Sequence, residues 1–276
     1  MIVWSSPVRR SLFRQPAILA ALVWLSLVVL GVICAPLLTP TGPLTVNPSH
    51  VLLPPGSGNF LGTDFLGRDI FARLLWGGRW TLQMSALALV LTVLIGLPVG
   101  LAAGSLGGPA DALLMRLVDG LLAFPGLLLA MVVVAVLGTG HAQVAVAVGL
   151  AGAPPYARVA RSVALEVREQ PYVESARAIG CSLWRIAVLH ILPNAAPSLI
   201  AFAATQLGWV LLSGAALNFL GLGIPPGTPE WGVMIADGRG YLRDAPWASV
   251  LPGLALTLTV LSVNLLGDRL QEALQL

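Results

Sequence analysis

Apolar residues in this chain gather into long unbroken runs, at residues 17–38, 82–103, about 120–138, 142–157, 197–224 and 247–267. A helix needs about 20 such residues to cross a bilayer, whereas a membrane barrel strand needs roughly 9–11. Period-two alternation is largely absent, and an unclosed sheet in lipid would leave backbone groups unpaired. The pattern predicts an all-α polytopic membrane protein with about six transmembrane helices. Pro125, Pro154 and Pro155, with Gly152, make the ends of the third and fourth runs ambiguous. Proline is tolerated in such helices because neighbouring groups can satisfy the freed carbonyls.

Arg9, Arg10 and Arg14 precede the first run. That run exceeds the roughly 7–15 residues of a secretory signal's apolar region, so it reads as an uncleaved first helix at 17–38 behind a cytoplasmic tail at 1–16. Residues 39–79 read as an extracytoplasmic segment, rich in Pro, Gly, Thr and Ser as far as Asn59. Residues 80–276 read as the core, interrupted by a cytoplasmic loop at 158–194. Six crossings place both termini in the cytoplasm. Arg158, Arg161, Arg168, Arg177 and Arg185 all fall in that loop. Arg68, Arg73, Arg79, Arg239 and Arg243 fall outside or at its edge, beside Asp64, Asp69, Glu230, Asp237 and Asp244. The distribution of arginines favours this orientation. No internal repeat and no separate soluble domain is visible.

Composition sharpens the class. The 276 residues are 57% hydrophobic and 10% charged, with a mean hydropathy of +0.88, against about 25% charged in a soluble domain. The net charge of +3 is carried by Arg, since the sequence has no Lys. These arginines are scattered through short loops and form no basic stripe for nucleic acid. Without Lys the chain cannot supply a Walker A loop, so any ATPase that drives it is another polypeptide. Cys34 and Cys181 are expected on opposite membrane sides, and His50, His141 and His190 lie far apart. Neither a disulfide nor a metal or other cofactor site is expected.

The loop at 158–194 carries the most informative chemistry. Val163, Val167, Val173, Ala176, Ile179, Leu183 and Ile186 recur at three- and four-residue spacing among charges, which predicts an amphipathic helix with one apolar face. Pro171 suits the first helical turn, and Glu174 then lies near the positive helix end. Gly180 permits a left-handed turn, and Ser182 is placed to cap a second short helix through Leu189. Pro193 and Pro197 bracket the next apolar run. From these features alone, an interfacial helix with ordinary breakers fits as well as a docking element.

The spacing Glu174-Ser175-Ala176, Gly180, Leu192-Pro193 resembles the EAA motif of permease subunits in ABC importers, with Ser175 in place of the usual Ala. His190-Ile191-Leu192-Pro193-Asn194 resembles the dipeptide/oligopeptide/nickel branch of that family. So does Leu61-Gly62-Thr63-Asp64-Phe65-Leu66-Gly67-Arg68-Asp69, continuing to Arg73 and Arg79. Asn218-Phe219-Leu220-Gly221-Leu222-Gly223 with Pro229-Glu230-Trp231-Gly232, and Pro252-Gly253 with Asn264-Leu265-Leu266-Gly267-Asp268, complete four ordered blocks from about residue 60 onward. The chain is similar to the C-type permease of that branch. The resemblance implies the type I ABC importer permease fold and a bacterial inner-membrane location. It also implies four kinds of neighbour: a second paralogous permease subunit, two ABC ATPase subunits, an extracytoplasmic solute-binding protein and membrane lipid. Glu174, Arg177 and Gly180 would belong to a helix docked in a groove of the ATPase. The cargo implied is a dipeptide or oligopeptide, with nickel or a metal chelate as the alternative.

Asp119 reads either as a gate or path acid or as an interfacial or capping residue, with Arg116 three positions earlier as a candidate partner. Gln206 and Asn218 either line a polar path or bond across helices, as do Gln83 and Ser213. Gly96, Gly100 and Gly104 suit close helix packing. The segment Gly62, Asp64, Gly67, Arg68, Asp69 has no His, Cys or Lys beside it, so ion pairing and helix capping are expected there rather than hydrolysis. Trp231 and Trp247 are expected as interfacial anchors. An intramembrane enzyme would need paired catalytic groups that the runs do not supply. A stand-alone secondary transporter would be expected to show an inverted repeat.

Overall fold

Helices begin where the apolar runs do or well before them, and several overrun the expected ends. The computed structural model describes residues 15–56 and 58–275, so Arg9, Arg10 and Arg14 of the expected tail lie outside the described residues. Within these it has ten α-helices: α1 (Pro16–Leu38), α2 (Ile70–Leu106), α3 (Gly108–Leu122), α4 (Gly126–Leu137), α5 (His141–Arg168), α6 (Pro171–Ala178), α7 (Leu183–Ile186), α8 (Leu192–Phe219), α9 (Trp231–Gly238) and α10 (Trp247–Gln275). A π-helical turn, Ala187–Ile191, joins α7 to α8. Only an isolated bridge between Thr63 and Asp69 has strand character among the described residues.

Four helical segments are long and apolar enough to cross a membrane: α1, α2, α7–α8 and α10. The number rises to five if α3 and α4, bent by 88° at their junction, count as one. The remaining apolar run, 142–157, falls in α5. Its 28 residues span about 42 Å at 1.5 Å per residue, but they are dominated by Ala, Gly, Pro and Val. The cause is packing: α5 runs through the middle of the bundle, with Val144, Ala147, Val148, Ala151, Ala160 and Ala164 buried. Small side chains replace the lipid-facing leucines of a peripheral helix such as α1, where Leu19, Leu27, Leu30 and Ile33 are exposed.

Four expected boundaries move. The second span starts at Ile70 rather than 82, because Asp69 caps it through a bond from Ala72 N–H to Oδ1 (2.9 Å). The third run divides at Pro125, whose ring disfavours helical backbone at Phe124, and α3 begins twelve residues before the expected start. The fourth does not stop at Ala157 but continues to Arg168, carrying Pro154 and Pro155 at its centre. The fifth starts at Leu183 through the π turn. The expected loop 158–194 is therefore largely helical.

The α2–α5 contact fixes the bundle. A Cβ at Gly100 would stand 2.2 Å from the Ala157 carbonyl oxygen, so α5 approaches closer than any side chain allows. Gly96 and Gly104 flank the same line of contact. Thr92 donates to Gly149 O (3.1 Å), and Tyr156 donates to Leu199 O on α8 (3.0 Å), both buried.

Candidate functional site

The turn at Gly180 is built from local chemistry. Pro171 opens α6, and Glu174 sits in its first turn. At the other end Gly180 N–H donates to Arg177 O (3.0 Å) and Cys181 N–H to Ala176 O (3.1 Å). That pair of bonds is a Schellman cap, which needs a left-handed residue after the helix. Gly180 supplies it at φ +85°, with open space around a Cβ built there. Ser182 then caps α7, accepting from Arg185 N–H.

One face of this element is bound to the bundle. Val173, Ala176, Ile186 and Ile191 are buried with Ala164 of α5, beside Leu101 of α2. Ile179 and Leu183, expected on that apolar face, are instead exposed, and Ile179 is 82% exposed. The Schellman turn reverses the chain at Gly180, so the helical spacing that runs through α6 does not extend to either residue. Trp184, which spacing did not single out, is 77% exposed beside them. Glu174, Ser175 and Arg177 are exposed, with Ser175 Oγ bonded to Pro171 O (2.9 Å). His190 is half-buried, and its carbonyl accepts from Asn194 Nδ2 (2.6 Å). Leu192 and Pro193 open α8. An exposed apolar patch thus stands on a rigidly capped turn.

At the opposite end of α2, the segment containing Gly62 and Gly67 folds around one carboxylate. Asp64 Oδ1 accepts the backbone N–H of Leu66 (2.8 Å) and Arg68 (3.0 Å). Its Oδ2 accepts from Arg68 Nε (2.7 Å) and Arg73 Nη1 (2.5 Å). The same guanidiniums donate to Gly227 O, at 3.0 Å from Arg68 and 3.3 Å from Arg73, which ties the segment to the loop after α8. Asp237 of α9 completes a neutral cluster at 3.6–3.7 Å from both. Burial pushes its carboxyl above the ordinary carboxylate range, against the pull of Arg73 and Arg68. Apart from this cluster, Asp69 accepts from Asn59 Nδ2 (2.8 Å) within the same segment.

A second fastening lies beside the first. Glu230 is fully buried and accepts from the Thr81 hydroxyl (2.8 Å) and Val233 N–H (2.9 Å). Burial raises its carboxyl above the ordinary range although both bonds favour the charged form. The two tryptophans expected at the membrane interface turn inward. Trp231 is buried and donates to Leu74 O (3.0 Å), and Trp247 donates to Thr63 O (3.1 Å). Their N–H groups find partners within the protein, so headgroup anchoring is not what places them.

The expected path residues are not brought together. Asp119 pairs with Arg158 of α5 and not with Arg116, because α5 crosses α3 at that level and offers the nearer guanidinium. Asn218 is buried and accepts from Ile224 N–H (3.1 Å), closing the turn after α8. Gln206 stands at mid-length of α8, its Nε2 buried without a partner among the described residues. Sequence spacing also missed the bidentate pair of Arg161 with Asp111 (2.5 and 2.6 Å), fifty residues apart, which ties α3 to α5.

Comparison with known proteins agrees with this architecture. Residues 96–275 match the family described as "Binding-protein-dependent transport system inner membrane component". Residues 4–55 match the "N-terminal TM domain of oligopeptide transport permease C". The chain is 44% identical to the glutathione transport system permease protein GsiD of Pectobacterium atrosepticum over 80% of its own length and 73% of that protein. It is 37% identical to the dipeptide transport system permease protein DppC of Alkalihalophilus pseudofirmus, over 96% and 87%. A third relative is the probable D,D-dipeptide transport system permease protein DdpC of Escherichia coli, 37% identical over 94% and 87%. Among solved structures, a chain of the inward-facing MetNI methionine ABC transporter shares the fold, with a TM-score of 0.61 at 22% identity over 73% of this chain and 96% of that one. Apolar helices, permease signatures in order and relatives matched over 73–87% of their length place this chain in that family: it is a multi-pass inner-membrane permease subunit of the dipeptide/oligopeptide/nickel class of ABC importers, a transport subunit and not an enzyme.

Proposed function

We propose that the chain forms half of a heterodimeric pore that imports dipeptides or oligopeptides, driven by ATPase subunits that dock on the turn at Gly180. The observation that carries this is the exposed patch of Ile179, Leu183 and Trp184, held on a capped turn whose other face is anchored in the bundle. An apolar patch of that kind on a charge-flanked surface fits a partner protein. The relatives named for dipeptide, D,D-dipeptide and glutathione transport favour peptide cargo over nickel or a metal chelate.

In this reading α5 is a sixth crossing, both termini are cytoplasmic, residues 39–79 lie outside, and 158–194 contains the coupling element. A second paralogous permease, two ATPases and a solute-binding protein complete the machine. Closure of the ATPases moves the docked turn. Val173, Ala176 and Ile186 pass that motion to α5 and α2, shifting the bundle between outward and inward access. Glu174 and Arg177 set the docking orientation.

Calorimetry of the co-encoded binding protein with dipeptides, longer peptides, nickel and nickel chelates tests the cargo. Tight binding of peptides alone supports the reading, and binding of metal species alone replaces the cargo while leaving the coupling element in place.

A further inference from the structure

Two outward faces of the bundle differ in what can lie against them. α1 has no charged residue, and its large exposed side chains, such as Val23, Leu27, Leu30 and Ile33, run along one unbroken helix. Lipid alone satisfies such a face. The bent pair α3 and α4 also carries an apolar stripe. Leu113, Leu117, Leu121, Phe124, Leu128 and Val132 recur every three or four residues, each 44–63% exposed, and the stripe continues through the 88° corner. α3 stands clear of the bundle, with Val118 alone buried among its fifteen residues.

Two features of this pair do not suit lipid. The first is the corner itself: Ala123, Phe124 and Pro125 are non-helical, and all three are exposed. Phe124 and Pro125 border one hollow with Pro154 and Pro155, at the midpoint of α5, and Gln206, at the midpoint of α8. The corner therefore lies near mid-depth of a bundle whose α2 and α8 are long enough to cross a membrane. Non-helical backbone at that depth is tolerated only where protein covers it or water reaches it. The second is charge. On the other flank of α3, Asp119 pairs with Arg158 of α5, their side chains 60% and 57% exposed. Arg158 stands about one helical turn, roughly 5 Å, from the central prolines, well inside a hydrocarbon core about 30 Å thick. Ionised groups at that level face protein or a water-filled cavity.

The corner and the ion pair exclude lipid, and a stripe of six large apolar side chains excludes bulk water. Protein is the neighbour left. We propose that α3 and α4 form the seam on which the second permease subunit packs. Its helices cover the stripe on both limbs of the bend, close over the corner and shield the Asp119–Arg158 pair from lipid. Gly120, beside the stripe, has nothing within 4 Å of a Cβ built there, which leaves room for another helix to approach closely. α1 keeps the lipid-facing side. The inference rests on the heterodimeric reading above and assigns the face that serves it.

The test uses the transporter assembled in native membranes with the second permease, the ATPases and the binding protein. Photoreactive benzoylphenylalanine replaces Leu117 on α3, Val132 on α4 or Leu30 on α1, three positions of nearly equal exposure (62%, 61% and 58%). After irradiation the covalent adducts are identified by mass. Adducts to the second permease from 117 and 132, and none from 30, are expected. Either limb alone carries the result should the other variant fail to assemble. Lipid or a second copy of this chain as the sole partner of both limbs, with the second permease still co-purifying, overturns the seam and leaves the heterodimeric reading standing. An importing complex purified without any second permease overturns both.

Discussion

The two ends of the bundle follow opposite plans. At the Asp64 end, charge is buried: Arg68 and Arg73 are nearly inaccessible, and every strong contact they make is to this chain's own carboxylates and carbonyls. At the Gly180 end, apolar side chains are exposed and the charges beside them, Glu174 and Arg177, make no ion pair among the described residues. Buried charge is costly unless paired and hydrogen-bonded, and here the pairing lies within one subunit, although Arg68 Nη2, Arg73 Nε and Asp237 Oδ2 find no hydrogen-bond partner among the described residues. Exposed Trp and Ile next to unpaired charge fit the proposed docking of a partner there. One end is closed on itself, and the other is incomplete.

Breaking the closed end gives the largest expected effect. Asp64→Ala leaves two buried guanidiniums facing Asp237 at 3.6–3.7 Å, and loss of one partner from a buried pair costs about 3–5 kcal/mol. Thermal unfolding of the detergent-purified subunit should show a large drop in midpoint. Asp237→Asn should cost much less, since that carboxylate makes no short contact with either Arg. Equal losses in the two variants would remove Asp64 from its place as the hub.

What the sequence made legible divides along the same line. Local chemistry was readable: Pro171 at a helix start, Gly180 at φ +85° and Ser182 as a cap each follow from neighbours within a few residues. The apolar runs located the helices, because lipid demands a long apolar surface whatever the tertiary arrangement. Contacts distant in sequence were not readable. Asp119 reaches Arg158 and Arg161 reaches Asp111 because helices cross, and nothing in local spacing encodes a crossing. Periodicity marked an apolar face near Ile179 and Leu183 but could not say which apolar residues this chain covers itself. The ends of α5 are hidden for a related reason: its central prolines look like breakers until the packing against α2 and α8 is known.

The open end offers the next effect, and it should leave the fold alone. Trp184→Ala removes the most prominent exposed aromatic, and a surface substitution usually changes stability by less than about 0.5 kcal/mol. Truncating an interface hot spot costs about 2 kcal/mol or more, roughly thirty-fold in affinity. Pull-down titration of the ATPase subunits on permease in nanodiscs should register that loss with an unchanged unfolding midpoint. A lower midpoint with unchanged ATPase affinity would place Trp184 in the bundle's own packing and dissolve the contrast between the ends.

The smallest effect in free energy should have the clearest effect on transport. Left-handed backbone costs an ordinary L-residue about 1–2 kcal/mol, and Asn and Asp less, so Gly180→Asp should assemble in the membrane near normally. Among the described residues, nothing beyond its chain neighbours lies within 4 Å of a Cβ at 180, so the new carboxylate projects into the space assigned to the docked ATPase. Uptake per ATP hydrolysed in proteoliposomes should fall sharply. Gly180→Asn, which keeps the backbone geometry and adds no charge, separates the causes: recovery with Asn marks the charge, and equal loss with both marks the space. Normal uptake and normal substrate-stimulated ATPase activity in Gly180→Asp would take the turn out of coupling altogether.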